Sequence, residues 1–166
     1  MTTATRNHLP VEEALDETDG RYLRKAIYWS HAASRRGNRP FGAIVDSAAG
    51  DVIAEAYNAT AENGDCTSHA EMGAIRALAA RRPTREELAG ATLYSSAEPC
   101  VMCAGAILAA RVPTVVFGAW DEKAGAVGSV YDVLRDRRLN HTVEVWAGVE
   151  ADACAAALTT FFRSRL

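Results

Sequence analysis

The stretch His69-Ala70-Glu71, followed further along the chain by Pro99-Cys100-Val101-Met102-Cys103, brings together residue types that bind zinc. It contains an imidazole nitrogen, two thiol sulfurs and a carboxylate. A structural zinc site usually has four protein ligands, whereas a catalytic site has three and leaves one position to water. Because the pattern supplies His69, Cys100 and Cys103, it predicts one zinc ion with a coordination position open to solvent.

Glu71 is predicted to carry protons rather than to bind the metal. A spacing of two residues turns it about 200° around a helix from His69, so the two side chains do not share a face. Bound zinc lowers the pKa of its water to about 7, which makes hydroxide available at neutral pH. Glu71 would take the water proton and pass it to a ring nitrogen and a departing amine. These parts suit hydroxide attack on an amine-bearing ring carbon with release of ammonia.

The sequence around the ligands indicates two helix starts. Cys100 and Cys103 stand at i and i+3, so both sulfurs face one point from a single turn. Pro99 favours a helix start, and the positive end of that helix favours thiolate. Thr67-Ser68 are plausible N-cap residues for a second helix that opens at His69. We therefore expect two helix N-termini to converge on one metal.

Alternative interpretations of a lone Cys-x-x-Cys are a redox pair or half of a structural zinc site. The nearby His-x-Glu argues against both. The remaining cysteines do not complete a four-cysteine site by spacing. Cys66 precedes His69 by three residues and could compete as a ligand, but it follows a Gly64-Asp65 turn. Cys154 lies in an apolar helix, where a buried, unreactive thiol is the favoured interpretation.

Composition limits the possible classes of protein. A chain of 166 residues, 49% of them hydrophobic, suits one domain, which we place at residues 21–166 after an N-terminal tail at 1–20. No apolar run predicts a signal peptide or a membrane span. Four cysteines suit a reducing cytoplasm rather than a disulfide framework. The net charge of −3 argues against a strongly electrostatic nucleic-acid binder, although a local basic patch can act within an acidic chain.

Hydrophobic periodicity predicts an α/β fold in which strands alternate with helices. Strands are expected at residues 41–45, 52–57, 93–96, 115–118 and 143–146. Helices are expected at 22–35, 69–82, from Cys100 onward, briefly near 130–134, and at 151–165. Such alternation indicates a sheet covered by helices on both faces.

Together these motifs resemble the cytidine deaminase-like superfamily of zinc deaminases, in which H-x-E and P-C-x-x-C form the signature. Within it, the chain is similar to the purine-acting group of guanine deaminases and tRNA adenosine deaminases. The resemblance covers about residues 21–166. It implies a three-layer α/β/α domain with a five-stranded mixed sheet, one Zn²⁺ per subunit and a homodimer.

Two parts of the chain resemble different relatives. Gly37-Asn38-Arg39-Pro40-Phe41-Gly42-Ala43 and the contexts of His69 and Cys100 are similar to deaminases of free bases and nucleosides. The segments Phe117-Gly118-Ala119-Trp120 and 123–134, Asn140-His141 and the ending Phe161-Phe162-Arg163 resemble bacterial tRNA adenosine deaminases. Those tRNA enzymes usually have Val-Pro-Val-Gly-Ala where this chain has Arg39-Pro40-Phe41-Gly42-Ala43.

The resemblance also implies residues that contact the substrate. Asn58 matches the asparagine that hydrogen-bonds the base, Ala70 and Glu71 match backbone contacts to the ring, and Pro99 is expected beside them. Phe41 would add an aromatic wall to the base pocket. From the residues alone, Asn58 is an ordinary turn residue at a strand end, and Phe41 serves equally well as a core aromatic.

Two enzymatic functions therefore follow, together with one that is not enzymatic. The favoured one is deamination of a small purine base or nucleoside, supported by Arg39-Pro40-Phe41 and the acidic net charge. The alternative is deamination of adenosine to inosine at the wobble position of tRNA, supported by the resemblance after Phe117. Arg135, Arg137 and Arg138 would supply an RNA-binding patch, or more simply a solvated face. A zinc protein without catalysis is the third, and Glu71 argues against it.

Overall fold

One mixed five-stranded sheet organises the molecule. The structure is a computed structural model that describes residues 17–139 and 141–163. Its strands are β1 (Gly42–Asp46), β2 (Val52–Tyr57), β3 (Thr92–Ala97), β4 (Thr114–Ala119) and β5 (Glu144–Ala147). They lie in the order β2-β1-β3-β4-β5, with β1 antiparallel to β2 and β3, and β3, β4 and β5 parallel. Strands β2, β3 and β4 consequently end at the same edge of the sheet.

Helices cover both faces of this sheet, as predicted. They are α1 (Glu17–Arg35), α2 (Thr60–Asn63), α3 (Ala70–Arg81), α4 (Arg85–Ala89), α5 (Val101–Ala110) and α6 (Ala151–Arg163). Helices α1 and α6 pack on one face, and α3 and α5 pack on the other. The three-layer α/β/α architecture is therefore confirmed.

Alternation along the strands assigns side chains to the two layers. Ile44, Tyr94 and Val116 point toward α1 and α6, while their neighbours Val45 and Leu93 point toward α3 and α5. Successive residues of a strand face opposite sides of a sheet, so one register fixes both cores. All five residues of β1 are buried, which is expected of a strand covered on both faces.

One predicted helix is absent. Residues 130–134 form a loop with an isolated bridge between Val127 and Asp132, because the N–H groups of Val130 and Tyr131 both donate to the carbonyl of Gly125. The prediction of a short helix there was wrong. The carbonyl of Tyr131 accepts from the N–H of Gly128, and the N–H of Val133 donates to the carbonyl of Ala126, so these backbone groups bond across the loop rather than along a helix.

Two short helices, α2 and α4, were not predicted, because four or five residues show no periodicity. Only α4 has a sequence pattern that predicts a helix start: a capping box in which the side chains of Thr84 and Glu87 each accept a hydrogen bond from the other residue's backbone N–H.

The chain ends also differ from expectation. Helix α1 begins at Glu17, inside the stretch expected as a tail, and residues 1–16 lie outside the described part. Helix α6 is described as far as Arg163, so the predicted extension to residue 165 is outside it as well. Within the described ranges, no helix is both long and apolar enough to cross a membrane.

Asp46 is an acidic side chain buried at the end of β1. It is 6% exposed, and its Oδ1 accepts a hydrogen bond of 2.7 Å from the backbone N–H of Thr92. Burial, assisted by the charge of Asp19, raises the pKa of Asp46 to about 6. Asp46 therefore keeps its proton to a higher pH in the folded chain than in the unfolded chain.

We expect Asp46 to make the protein less stable as pH rises from about 4 to about 6. In this window the unfolded chain has released the proton and the folded chain retains it, so the free energy of unfolding falls, by about 1–3 kcal/mol. Asp46→Asn, which stays neutral and keeps the Oδ1 acceptor, should remove this component. Urea unfolding of both proteins at pH 4 and pH 7 measures it, and an advantage of the variant that is equal at both pH values contradicts it.

The matched control is Asp136→Asn. The side chain of Arg138 donates to Asp136 and holds its pKa at about 2, so this substitution should give the opposite pH trend or none.

Candidate metal centre

His69 reaches the site from the N-terminus of α3. It is the N-cap residue, with extended backbone angles (φ −71°, ψ 157°) and no side-chain capping bond. The turn before it is fixed by Asp65, whose carboxylate accepts hydrogen bonds from Thr67 and Ser68. Thr67 and Ser68 were expected to cap the helix, but their hydroxyls donate to Asp65 instead. The imidazole is therefore free to point away from its own helix.

The two cysteines approach from α5, which follows β3. Cys100 is the N-cap of this helix (φ −75°, ψ 174°), also without a side-chain capping bond, and Cys103 lies in the first turn. The prediction that both sulfurs face one point from a single turn is confirmed, because their Sγ atoms lie 3.7 Å apart.

The three ligand atoms form a nearly equilateral triangle. The Nδ1 atom of His69 lies 3.6 Å from each of the two Sγ atoms. Bonds of about 2.3 Å to sulfur and about 2.1 Å to nitrogen, at tetrahedral angles, place two sulfurs about 3.8 Å apart and sulfur and nitrogen about 3.6 Å apart. The side chains therefore fit zinc, and they are the one group of three potential ligands found in the described ranges.

The pKa shifts of the three residues show that their ligand atoms share protons at positions where a metal cation would bind. The pKa of the Cys100 thiol is lowered to about 4, because Cys103 donates a hydrogen bond to it and His69 adds another. The pKa of Cys103 is raised, because its thiol donates a hydrogen bond to Cys100 and because it is buried. Cys100 in turn raises the pKa of His69 by hydrogen bonding. A dication bound by the three residues would replace the shared protons.

Glu71 lies beside the triangle and outside it. Its carboxylate is 6% exposed, with Oε2 3.5 Å from the Sγ of Cys103. The hydroxyl of Ser95, a buried residue of β3, donates to Oε1 at 3.1 Å. Burial raises the pKa of Glu71, against smaller opposing effects that include the charge of His69 and the hydrogen bond from Ser95. A carboxyl group whose pKa is raised holds a proton more readily than an exposed one, which suits a group that takes up and returns protons.

The structure brings the expected substrate-contacting residues to the same edge of the sheet. Asn58 follows β2, is 1% exposed, and donates its backbone N–H to the carbonyl of Phe41 at 2.9 Å. Next to it, the N–H of Ala59 bonds the carbonyl of Ser68, which places Asn58 beside the His69 turn. Ala70 begins α3 and is fully buried.

The contacts of Phe41 and Pro99 are with the core and with the backbone rather than with the open cavity beside His69. Phe41 is half-buried and packs against the core beneath α3 and α5, so the core interpretation has direct support. Pro99 is buried, and its carbonyl accepts from the N–H of Ala126. An open cavity of about 290 Å³ adjoins His69 and is lined by Tyr57, Asn63 and Arg76 among others, but neither Phe41 nor Pro99 belongs to its lining.

The remaining cysteines behave as expected. Cys66 is exposed and does not join the ligand group. Cys154 is 2% exposed and packs so closely on Gly118 that a Cβ there would lie 2.2 Å from its sulfur. Burial raises the pKa of the Cys154 thiol to about 12, which keeps it protonated.

Sequence reasoning missed two polar residues of the site, Ser95 and Glu98. Ser95 reaches Glu71 across 24 positions of sequence, and Glu98 is a buried carboxylate two residues before Cys100. Alternation along β3 would have placed Ser95 on the same face as Leu93. Its partner depends on strand register and helix packing, for which the sequence had no signal.

Comparison with known proteins gives this geometry a context. The profile of the cytidine and deoxycytidylate deaminase zinc-binding region matches residues 16–119. The chain is 41% identical to the tRNA-specific adenosine deaminase of Haemophilus influenzae over 149 residues, 90% of this chain and 86% of that protein.

Two solved structures extend the comparison. One, from work on A-to-I editing by tRNA:A34 deaminases at the wobble position of transfer RNA, gives a TM-score of 0.77 at 34% identity, covering 83% of this chain and 99% of that one. A guanine deaminase from Nitrosomonas europaea gives 0.71 at 23% identity, over 86% of this chain and 83% of that one, which shows a shared fold.

We expect Cys100→Ser to abolish stoichiometric zinc binding and to lower the melting temperature to that of the chelated wild type. The metal ties the start of α3 to the start of α5, and a ligand about 100-fold above its Kd stabilises the folded state by about 2.7 kcal/mol. Zinc content by atomic absorption, together with calorimetry, tests this.

The same substitution at the exposed cysteine, Cys66→Ser, is the matched control and should change neither quantity. Full zinc content in Cys100→Ser, or equal loss in both variants, contradicts the assignment.

Proposed function

The chain belongs to the family of deaminases defined by the cytidine and deoxycytidylate deaminase zinc-binding region. From its similarity to a tRNA-specific adenosine deaminase, we propose that it converts adenosine to inosine at the wobble position of tRNA. It is a zinc-dependent deaminase, and the resemblance read from its motifs is confirmed. The tRNA substrate is the proposal.

One observation carries the choice of substrate: the 41% identity to a tRNA-specific adenosine deaminase over 149 residues. The family profile ends at residue 119, and an alignment covering 90% of the chain must continue well beyond it. The relationship therefore includes the loop after β4 and strand β5. This is the region whose sequence already resembled tRNA deaminases.

The preference for a free purine, drawn from the sequence, rested on weaker ground. Phe41 packs on the core, so an aromatic at this position is explained without a base in contact with it. The acidic net charge excludes no local RNA site. Arg39-Pro40-Phe41 still departs from the usual tRNA-deaminase pattern, and for that reason a free purine remains the second candidate.

The arginine cluster contributes less to the tRNA proposal than expected. Arg135 pairs with Asp132, and Arg138 pairs with Asp136. Among the described residues, Arg137 alone of the three has no ion pair. Most of the cluster's charge is therefore balanced locally, and Arg137 is the member whose guanidinium is directly available to RNA.

The chemistry begins at the metal centre. His69, Cys100 and Cys103 would hold zinc, which supplies a Lewis acid that makes water nucleophilic at neutral pH. Ser95 fixes Oε1 of Glu71 and leaves Oε2 directed toward Cys103 and the ligand triangle. From there Glu71 would carry one proton of the attacking water to the ring nitrogen as the C–O bond forms. It would then carry the second proton, from the added hydroxyl, to the amine, so that the C–N bond breaks and ammonia leaves.

Substrate orientation would come from Asn58 and the start of α3. The Oδ1 of Asn58 accepts from the N–H and hydroxyl of Thr60, while its Nδ2 donates to none of the described residues. This amide is thus a donor available to an acceptor nitrogen of the base. The backbone N–H groups of Ala70 and Glu71 belong to the first turn of α3 and have no backbone partner within the helix. That of Ala70 would add a further donor, while that of Glu71 also bonds its own carboxylate. Pro99 is expected beside them.

The family resemblance implies a homodimer. The homodimer and the cytoplasmic location both stay predictions. Light scattering of the purified protein measures the first directly.

A substrate panel tests the function. We expect ammonia release from an anticodon stem-loop carrying adenosine at the wobble position, and little from guanine, adenine or free nucleosides. Activity on the RNA should fall steeply as salt rises from about 50 to 200 mM, because phosphate contacts release counterions. Equal salt titrations with free adenosine are the control. Preferential turnover of a free purine, insensitive to salt, supports the second candidate instead.

Glu71→Gln should retain one zinc per subunit and lose most turnover. The amide keeps the size and the bond from Ser95 but cannot accept a proton, and general acid–base catalysis contributes about 10²–10⁴-fold. Single-turnover deamination and metal analysis on the same preparation measure both. Glu87→Gln, at a half-buried glutamate in α4, is the control. A variant at position 71 with near-normal turnover shows that the proton carrier is another group.

A further inference from the structure

Glu98 is a buried carboxylate with an unusual set of partners. It is 4% exposed, and its Oε1 accepts hydrogen bonds of 3.0 Å from the backbone N–H groups of Val127 and Ser129. Its Oε2 accepts from the N–H of Asp121 at 3.1 Å. One side chain thus holds both ends of the segment 121–131, which we call the clamp loop.

No cation balances Glu98 within the described ranges, since none of the ion pairs there includes it. The three N–H donors are its compensation, and hydrogen bonds to an ionised acceptor are about twice as strong as neutral ones. Gly125 gives the carboxylate its room, because a Cβ at this position would lie 2.2 Å from Oε2. The clamp loop is therefore built around the charge of Glu98.

The clamp loop lies directly against the metal-binding segment. The N–H of Ala126 donates to the carbonyl of Pro99 at 2.9 Å, and Gly125 forms an isolated antiparallel bridge with Cys100. Glu98 itself is fixed at the end of β3 by its N–H, which bonds the carbonyl of Ala119 at 2.8 Å. The loop is thus joined by backbone contacts to the segment that carries Cys100.

We propose that Glu98 is a positioning residue for deamination: it clamps the 121–131 loop to the Pro99-Cys100 segment, so that the loop forms a fixed wall beside the metal centre. Trp120, the residue just before the clamp loop, and Tyr131, its last residue, are 45% and 59% exposed and would be presented to substrate in a set orientation. This role rests on the proposed function. It predicts an effect on substrate engagement that is separate from metal binding.

Glu98→Gln is the sharpest substitution. Glutamine has the same shape but one acceptor oxygen, and its NH₂ group would face at least one of the three N–H donors. We expect kcat/KM on the anticodon stem-loop to fall by about 10–100-fold, mainly through KM, with one zinc per subunit retained. Hydrogen exchange should accelerate at the amides of Asp121, Val127 and Ser129 and stay unchanged in α3.

A second variant covers the case in which Glu98→Gln does not fold. Gly125→Ala leaves the charge of Glu98 in place and pushes the loop away from it sterically, so it should reproduce the loss of kcat/KM and of amide protection. Glu87→Gln removes a carboxylate that also accepts a backbone N–H, but far from the metal, and should change neither.

Three results would overturn the proposal. They are kcat/KM within about twofold of wild type in both variants, unchanged exchange at the three amides, and loss of activity in strict proportion to loss of zinc. Failure of the proposed function is distinguishable from these, because it appears as wild-type inactivity toward RNA. In that case, loss of protection at the three amides with zinc retained still supports the clamp, and unchanged protection overturns it.

Discussion

The site depends on the meeting of two helix N-termini at the edge of one sheet. His69 and Cys100 both occupy N-cap positions, and neither side chain caps its own helix. An N-cap side chain usually turns back to bond an N–H of the first turn. Here each points outward to a shared centre, where Cys103 completes a triangle with sides of 3.6–3.7 Å. Because α3 and α5 pack beside each other on one face of the sheet, the strand order and this packing together set the distance between the ligands.

The same layer that forms the core also orients the proton carrier. Glu71, in the first turn of α3, lies against the face of β3 that carries Leu93. Ser95, on the same face, donates a hydrogen bond to its carboxylate. A buried carboxyl group without such a donor would be costly. One hydroxyl therefore serves both stability and chemistry, since it satisfies Oε1 and leaves Oε2 facing the metal ligands.

The region after β4 lies beyond the part of the chain that the family profile matches. The family profile ends at Ala119, and the relationship to tRNA deaminases continues beyond that point. There the clamp loop replaces the helix expected near residues 130–134. Its backbone donors are directed to Glu98 and to the carbonyl of Gly125, so the segment lies as an irregular wall beside Cys100. Irregular backbone of this kind is stable because its polar groups have partners.

The sequence by itself determined the ligands, the turn shared by Cys100 and Cys103, the alternating core of the strands and the three-layer class. These features are encoded within a few residues, through helical spacing, capping and period-two alternation. Only the tertiary structure decided that Asp65 takes the hydroxyls of Thr67 and Ser68, that Ser95 holds Glu71, and that Glu98 holds the clamp loop. The pairs Ser95–Glu71 and Glu98–Ser129 are 24 and 31 positions apart. Their contacts follow from strand register and from how helices pack on the sheet, and no local pattern in the chain specifies either.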